Sequence, residues 1–368
     1  MPAAVLHVNT ETGWRGGEAQ TFFLARGLAE RGHVSIVAAP PGSPLFARAA
    51  AAGLETLPFA ARGEWDVAAA RRLAAVLRRR PIDRLHYHTA HAAAIGGLAS
   101  LFAGRRPAVA SRRVSFRLHG GSLGRLKYTW RVDRVIAVSE AIRRGLIASG
   151  LPPGKVVTVH SGIDAARFAR GDGARFRAGL AAGGWPADAP LVGTAGHLAA
   201  HKGIDLFIDA AALVAPQHPE ARFLVVGTGE EEAALRRRAA ERGLGDRLRF
   251  SGFRDDMPDV FAGLDLFVLA STSGEGSPAV VKEAMAAGAA VVASALDGVE
   301  EIVEDARHGL LVQPGSAAVL AAAIRTLLED PALASRLRAA ARLRAAEFGI
   351  DAMVERTEVV YAALGESG

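Results

Sequence analysis

Short apolar runs alternate with helix-patterned stretches through nearly the whole chain, and this alternation restricts the fold more than any single motif does. Predicted strands Ala4–Val8, Val34–Ala38, Leu54–Leu57, Arg84–His88 and Ala108–Ser111 are separated by helical stretches such as Ala19–Arg31 and Val67–Arg80. After residue 185 the series starts again with Leu191–Ala195, Phe223–Val226, Leu248–Phe250 and Leu266–Leu269. Strands that alternate with helices assemble into parallel sheets covered on both faces. Ligands of such open α/β sheets lie beyond the carboxyl ends of the strands, so the loops after strands carry the functional reading. At 368 residues the chain exceeds one ordinary core and predicts two domains of roughly 150–200 residues each.

The absence of cysteine removes disulfides, thiolate metal sites and cysteine nucleophiles together. Met1–Asn9 reads as a first strand rather than a basic-then-apolar leader. No run of about 18 uninterrupted apolar residues exists to span a membrane, and a cytoplasmic protein is expected. The net charge of +6 conceals an asymmetry: residues 1–185 hold 27 Arg and Lys against 11 Asp and Glu, while residues 186–368 hold 17 against 27. This split predicts a domain boundary near residues 165–185 and a first half that meets something anionic. No interleaved aromatics or nucleic-acid motif accompany the arginines, so nucleic acid is not expected as a partner. An anionic membrane surface is, which would place the protein peripherally at the inner face of the cytoplasmic membrane. Arginines that are merely solvated form the alternative.

Chemistry concentrates in Ala270–Val292, ASTSGEGSPAVVKEAMAAGAAVV. It reads as a strand end, a loop of small residues, a helix over Ala279–Ala287, Gly288 and another strand. Glu275 falls in the loop and Glu283 about one turn into the helix, so both can face the C-terminal edge of the sheet. Between them Gly276 permits close backbone approach, Ser277 follows, and Pro278 suits a first helical turn. The free amides of that turn favour an anion such as a diphosphate. An ordinary strand–loop–helix crossover with two solvated carboxylates is the competing reading.

The pattern Glu–Gly–x–Pro–x–x–x–x–Glu, followed by Ala-Met-Ala-x-Gly, resembles the signature of family-4 glycosyltransferases of the GT-B fold. The resemblance implies an α/β architecture of two Rossmann-like βαβ domains facing an interdomain cleft. It divides the chain into residues 1–168, an acceptor domain completed by a crossover helix over 348–368, and residues 169–347, a nucleotide-sugar domain. It implies that Glu283 bonds the ribose hydroxyls of a nucleotide-sugar donor. Glu275 would contact a sugar hydroxyl, and the backbone of Gly276, Ser277 and Pro278 would hold sugar and phosphate. Upstream, Lys202 and Gly203 precede an amphipathic helix over Ile204–Val214, where an ammonium and a helix N-terminus converge. The family's counterpart carries Arg and Lys for the diphosphate. Here His197 stands where the Arg is expected, and Lys202 remains. Gly227, in a Gly-x-Gly turn, and Gly252 complete the donor set. Glu232 occupies the third position of a dinucleotide fingerprint, so NAD is not expected.

In the first half Gly16 and Gly17 stand just before the first helix, where amides could hold a phosphate or an acceptor hydroxyl, or could merely form a tight turn. The HYHTAH run supplies His86, His88 and His91; the spacing can bind zinc, but no Asp, Glu or Cys stands nearby to complete a site. No metal is expected. His86 and His88 are read as alternating with Tyr87 at a strand end and His91 as reaching toward the cleft. After Ala108–Ser111 come Arg112 and Arg113, in a loop that ends with His119. The family often has a histidine directly after this strand; arginine there cannot act as a base, but a guanidinium pair could hold an anionic acceptor bidentately. Asp164–Gly184 is polar and Gly-containing and reads as a hinge, and His308–Gly315 reads as hairpin-like.

No Asp-x-Asp occurs in the chain, so a metal-chelated diphosphate is not expected and no cofactor is needed. The growing charge of the leaving group would fall on Lys202, His197 and helix N-termini. The resemblance implies a retaining glycosyltransferase that moves a hexose-type sugar to a saccharide or lipid-linked saccharide acceptor, in envelope glycan or lipopolysaccharide synthesis. An inactive nucleotide-sugar-binding relative and a sugar-nucleotide 2-epimerase are the alternatives.

Overall fold

The computed structural model describes residues 2–113 and 121–364, and side chains from residue 124 onward in the second stretch. The chain divides into two compact units, Met1–Gly162 with Ile350–Gly368, and Ile163–Gly349. Each is a parallel sheet flanked by helices.

The first unit holds β1 (Ala4–Val8), β2 (Val34–Ala39), β3 (Glu55–Pro58), β4 (Arg84–Tyr87), β5 (Ala108–Arg112), β6 (Arg134–Ala137) and β7 (Val156–Thr158), in the order β3-β2-β1-β4-β5-β6-β7. All pairings are parallel. The order reverses between β1 and β4, which pair with His7 opposite His86. Val5, Leu6, Val8, Leu85 and Val109 are buried, as central parallel strands covered on both faces require. The Ile350–Ala362 helix closes one face: Met353, Val354, Val360 and Tyr361 join Val5, Leu24, Leu28, Val109 and Ile136 in one apolar cluster. Gly27 permits this approach, because a Cβ there would run into Val354.

The second unit holds β8 (Leu191–Ala195), β9 (Arg222–Val226), β10 (Leu248–Gly252), β11 (Leu266–Leu269), β12 (Ala290–Ser294) and β13 (Leu310–Val312), in the order β10-β9-β8-β11-β12-β13. Its order reverses between β8 and β11. The hairpin-like reading of His308–Gly315 is corrected: β13 runs parallel to β12 as an edge strand. The hinge reading of Asp164–Gly184 is also corrected. Asp164 and Asp172 cap helices Ala165–Ala169 and Gly173–Ala182 by accepting from Arg167 and Arg175 amides, and Phe168 and Phe176 are buried in the core of the second unit. Its Asp and Gly residues looked like loop composition, but the aspartates serve as helix caps. The division therefore falls at Gly162/Ile163, ahead of the boundary expected near residues 165–185.

Candidate functional site

In the second unit, Lys202 follows β8 and Glu275 follows β11, the two strands that flank the reversal of order. The Lys202 Nζ donates to Glu275 Oε1 at 2.7 Å, so the pair spans the switch point. Ser271 Oγ donates to the same carboxylate oxygen at 2.6 Å. Glu275 is buried, and a buried carboxylate needs this company. The loop is fixed further by the Thr272 amide donating to the His201 carbonyl. Gly298 also contributes, since a Cβ there would strike the Glu275 and Gly276 carbonyls.

Beyond the loop, Pro278 stands just before the Ala279–Ala287 helix and Gly288 ends it in the left-handed conformation. Glu283 is its fifth residue. No hydrogen bond reaches the Glu283 carboxylate from the described residues. Burial raises this carboxyl to about 7, against the pull of Arg167 and Lys282. A carboxylate left without hydrogen bonds at the C-terminal edge of a parallel sheet can accept from two ligand hydroxyls. Gly276 and Pro278 are buried and Ser277 partly so. The structure thus brings Glu275, Gly276, Ser277, Pro278, Glu283 and Lys202 to one sheet edge.

His197, just after β8, is half exposed; its Nδ1 faces the Thr228 carbonyl at 2.9 Å and its Nε2 the Glu230 carboxylate at 2.8 Å. Glu230 is an acidic neighbour that a diphosphate would have to displace. Strand ends β8, β9 and β10 are tied in sequence, with Gly196 donating to Val226 and Gly227 to Gly252. Gly227 has φ of +128°, and a Cβ there would meet the Gly196 carbonyl. Only glycine fits.

In the first unit the predicted residues share the C-terminal edge but not one arrangement. Gly16 and Gly17 do not precede the first helix: they open it, because Gly16–Glu30 is helical and Glu18 accepts from the Arg15 amide at 2.8 Å. Arg112 and Arg113 meet different partners. Arg112 donates to the Tyr128 hydroxyl at 3.3 Å, and Arg113 donates to His88 Nδ1 at 3.1 Å. His91 lies on the exposed side of the Ala90–Ala103 helix, 3.6 Å from Glu64 and apart from His86 and His88. His119 lies outside the described residues.

His7 is a residue the motif reading passed over. His7, His86 and His88 form a buried stack, with His86 and His88 ring centroids 4.2 Å apart. Their ring nitrogens lie close enough together to hold a metal ion, but their hydrogen bonds argue for a network. Arg113 only donates, so His88 accepts at Nδ1 and donates from Nε2 to His7 Nδ1 at 3.0 Å. His86 faces the Tyr361 hydroxyl at 2.6 Å and Ser111 at 2.7 Å. Burial holds all three well below the usual imidazole range, His7 at about 3, and the neighbouring Arg113 opposes a further cation. The sequence signal was a histidine inside the apolar run AVLHV.

Residues 14–167 match the model of Glycosyltransferase Family 4, and residues 180–344 that of Glycosyl transferases group 1. A D-inositol 3-phosphate glycosyltransferase of Streptomyces avermitilis is 32% identical over 75% of this chain and 60% of its own length. The lipopolysaccharide core biosynthesis glycosyltransferase LpsE of Rhizobium meliloti is 35% identical over 41% of this chain and 43% of its own length. The chain thus spans less than two thirds of these relatives. Among solved structures, Anabaena HepE in complex with UDP superposes with a TM-score of 0.87 at 23% identity, covering 98% of this chain and all of that one.

Proposed function

Since the chain belongs to the family-4 glycosyltransferases and has their GT-B fold, we propose that it moves a hexose-type sugar from a nucleoside-diphosphate donor to a saccharide or lipid-linked saccharide acceptor. The observation that carries this reading is the Lys202–Glu275 pair across the switch point, with the Glu283 carboxylate, which no hydrogen bond reaches from the described residues, on the adjoining helix. Glu283 would accept from the ribose hydroxyls and Glu275 from a sugar hydroxyl. The Lys202 ammonium would meet the diphosphate oxygen on which negative charge grows as the anomeric carbon–oxygen bond breaks. The acceptor oxygen then bonds the anomeric carbon from the same face and its proton passes to the departing phosphate, so configuration is retained without a metal.

The relative named for lipopolysaccharide core synthesis supports an envelope acceptor, and HepE, crystallised with UDP-glucose, supports a UDP-linked donor. Contact with an anionic membrane is supported by Arg105, Arg131, Arg134 and Lys155, which line an open hollow of about 390 Å³ in the first unit. Leu101 and Phe102 are exposed on the helix that leads to Arg105. No helix of the described residues is long and apolar enough to cross a membrane. The test is release of nucleoside diphosphate from UDP-, GDP- or ADP-sugars: release only when a saccharide or lipid-linked acceptor is added supports transfer. Release without acceptor would instead mark an epimerase or hydrolase. Co-sedimentation with anionic but not neutral vesicles, lost by about 0.5 M salt, tests the membrane contact.

A further inference from the structure

The Ala279–Ala287 helix carries a lysine in its core. Lys282 is 0% exposed, beside Val281, Ala284 and Met285. Its Nζ lies 4.8 Å from the centre of the Phe348 ring and donates to Ser277 Oγ at 2.7 Å. The carboxylates of Glu283, on its own helix, and Glu301 act on its charge, and the Arg344 guanidinium lies 4.9 Å from the centre of the same Phe348 ring.

We propose that Lys282 is a positioning residue of the donor loop, which fixes Ser277 so that its hydroxyl hydrogen is presented to the sugar-phosphate oxygens of a bound donor. This rests on the reading of Glu275–Pro278 as the donor loop. The Lys282 amine donates to the Ser277 oxygen, so the hydroxyl keeps its own hydrogen to give elsewhere. A phosphate or sugar oxygen in the loop is a suitable acceptor. For folding alone the lysine is a liability. Burial pulls its amine down to about 7, and an unbranched apolar side chain of similar length would fill the same space without that cost. What such a side chain could not do is hold Ser277.

The test is a double-mutant cycle read by calorimetric binding of UDP-glucose, with the melting temperature measured alongside. Lys282→Met should raise the melting temperature at pH 7 and weaken binding about fivefold or more. Ser277→Ala should weaken it to a similar extent, and the double variant should be no weaker than the weaker single. Lys282→Leu, a second apolar replacement, should behave as Lys282→Met. A role in packing alone would move stability and leave donor binding at the wild-type value. Unchanged binding in Lys282→Met and Lys282→Leu, or losses that multiply in the double variant, overturns the proposal. If Ser277→Ala and Glu283→Ala both bind as wild type does, the donor reading has failed and the proposal falls with it.

Discussion

Glu283 gathers the clearest single-residue consequences. A carboxylate that accepts from ribose hydroxyls binds best when ionised, and its carboxyl titrates at about 7. Donor affinity should therefore rise between about pH 5 and 7, and Glu283→Gln should flatten the rise in a calorimetric titration series. Free-enzyme stability has the opposite sign: the raised value means stability is lost as pH climbs from the unfolded carboxyl range to about 7. Glu283→Gln should thus melt higher than wild type above pH 7 and alike below pH 4. Lys282 runs the other way. Its lowered value means that its cost is full below about 7 and fades toward the ordinary lysine range, so the gain of Lys282→Met should shrink between pH 7 and 10 in thermal melts. Lys202 has two duties. Lys202→Ala should lower kcat more than it raises KM if it meets charge that grows as the phosphate leaves. It should also cost about 1–3 kcal/mol of stability, because Glu275 loses its ion-pair partner. A change in KM alone would make Lys202 a docking residue. The sequence made Glu275 and Glu283 legible because their spacing fixes their place in one loop–helix unit, and Lys202 because it stands between an apolar strand run and an amphipathic helix pattern. It could not show the Glu230 contact to His197 or the Lys282 bond to Ser277, which depend on how side chains turn.

The βα alternation was legible at the level of elements because central parallel strands are near-continuous apolar runs, and those runs recur. Misreadings occurred where one residue type serves two purposes. Asp164 and Asp172 looked like loop residues and are caps. Gly16 and Gly17 look like residues that precede a helix and instead begin it, because the signal that starts it is the Glu18 carboxylate returning to the Arg15 amide. His308–Gly315 has a hairpin's turn residues but feeds a parallel edge strand, since its partner is set by sheet order and not by local chemistry. The strand ends give an element-scale test. Gly227→Ala forces a side chain into a left-handed position and against the Gly196 carbonyl. It should cost roughly 1–3 kcal/mol or more in chemical denaturation, and UDP-glucose binding should fall with it. Wild-type stability in this variant would mean that the turn relaxes freely.

For the whole molecule, the two units differ in how their sites are built. The second carries a carboxylate that no hydrogen bond reaches from the described residues, beside the partly buried Lys202–Glu275 ion pair, an arrangement poised for a ligand. The first carries a closed histidine network capped by Arg113 and by Tyr361 of its C-terminal helix. That network should behave as structure: Tyr361→Phe leaves His86 one partner short and should lower stability by about 1–3 kcal/mol without altering donor affinity. The central claim is that the donor binds through Glu283 on the second unit. Isothermal titration of UDP-glucose into the wild-type protein and into Glu283→Ala tests it most directly. In Glu283→Ala the Kd should rise about tenfold or more, equivalent to roughly 1.5–3 kcal/mol, with an unliganded melting temperature no lower than wild type. An unchanged Kd in a folded Glu283→Ala protein would contradict it.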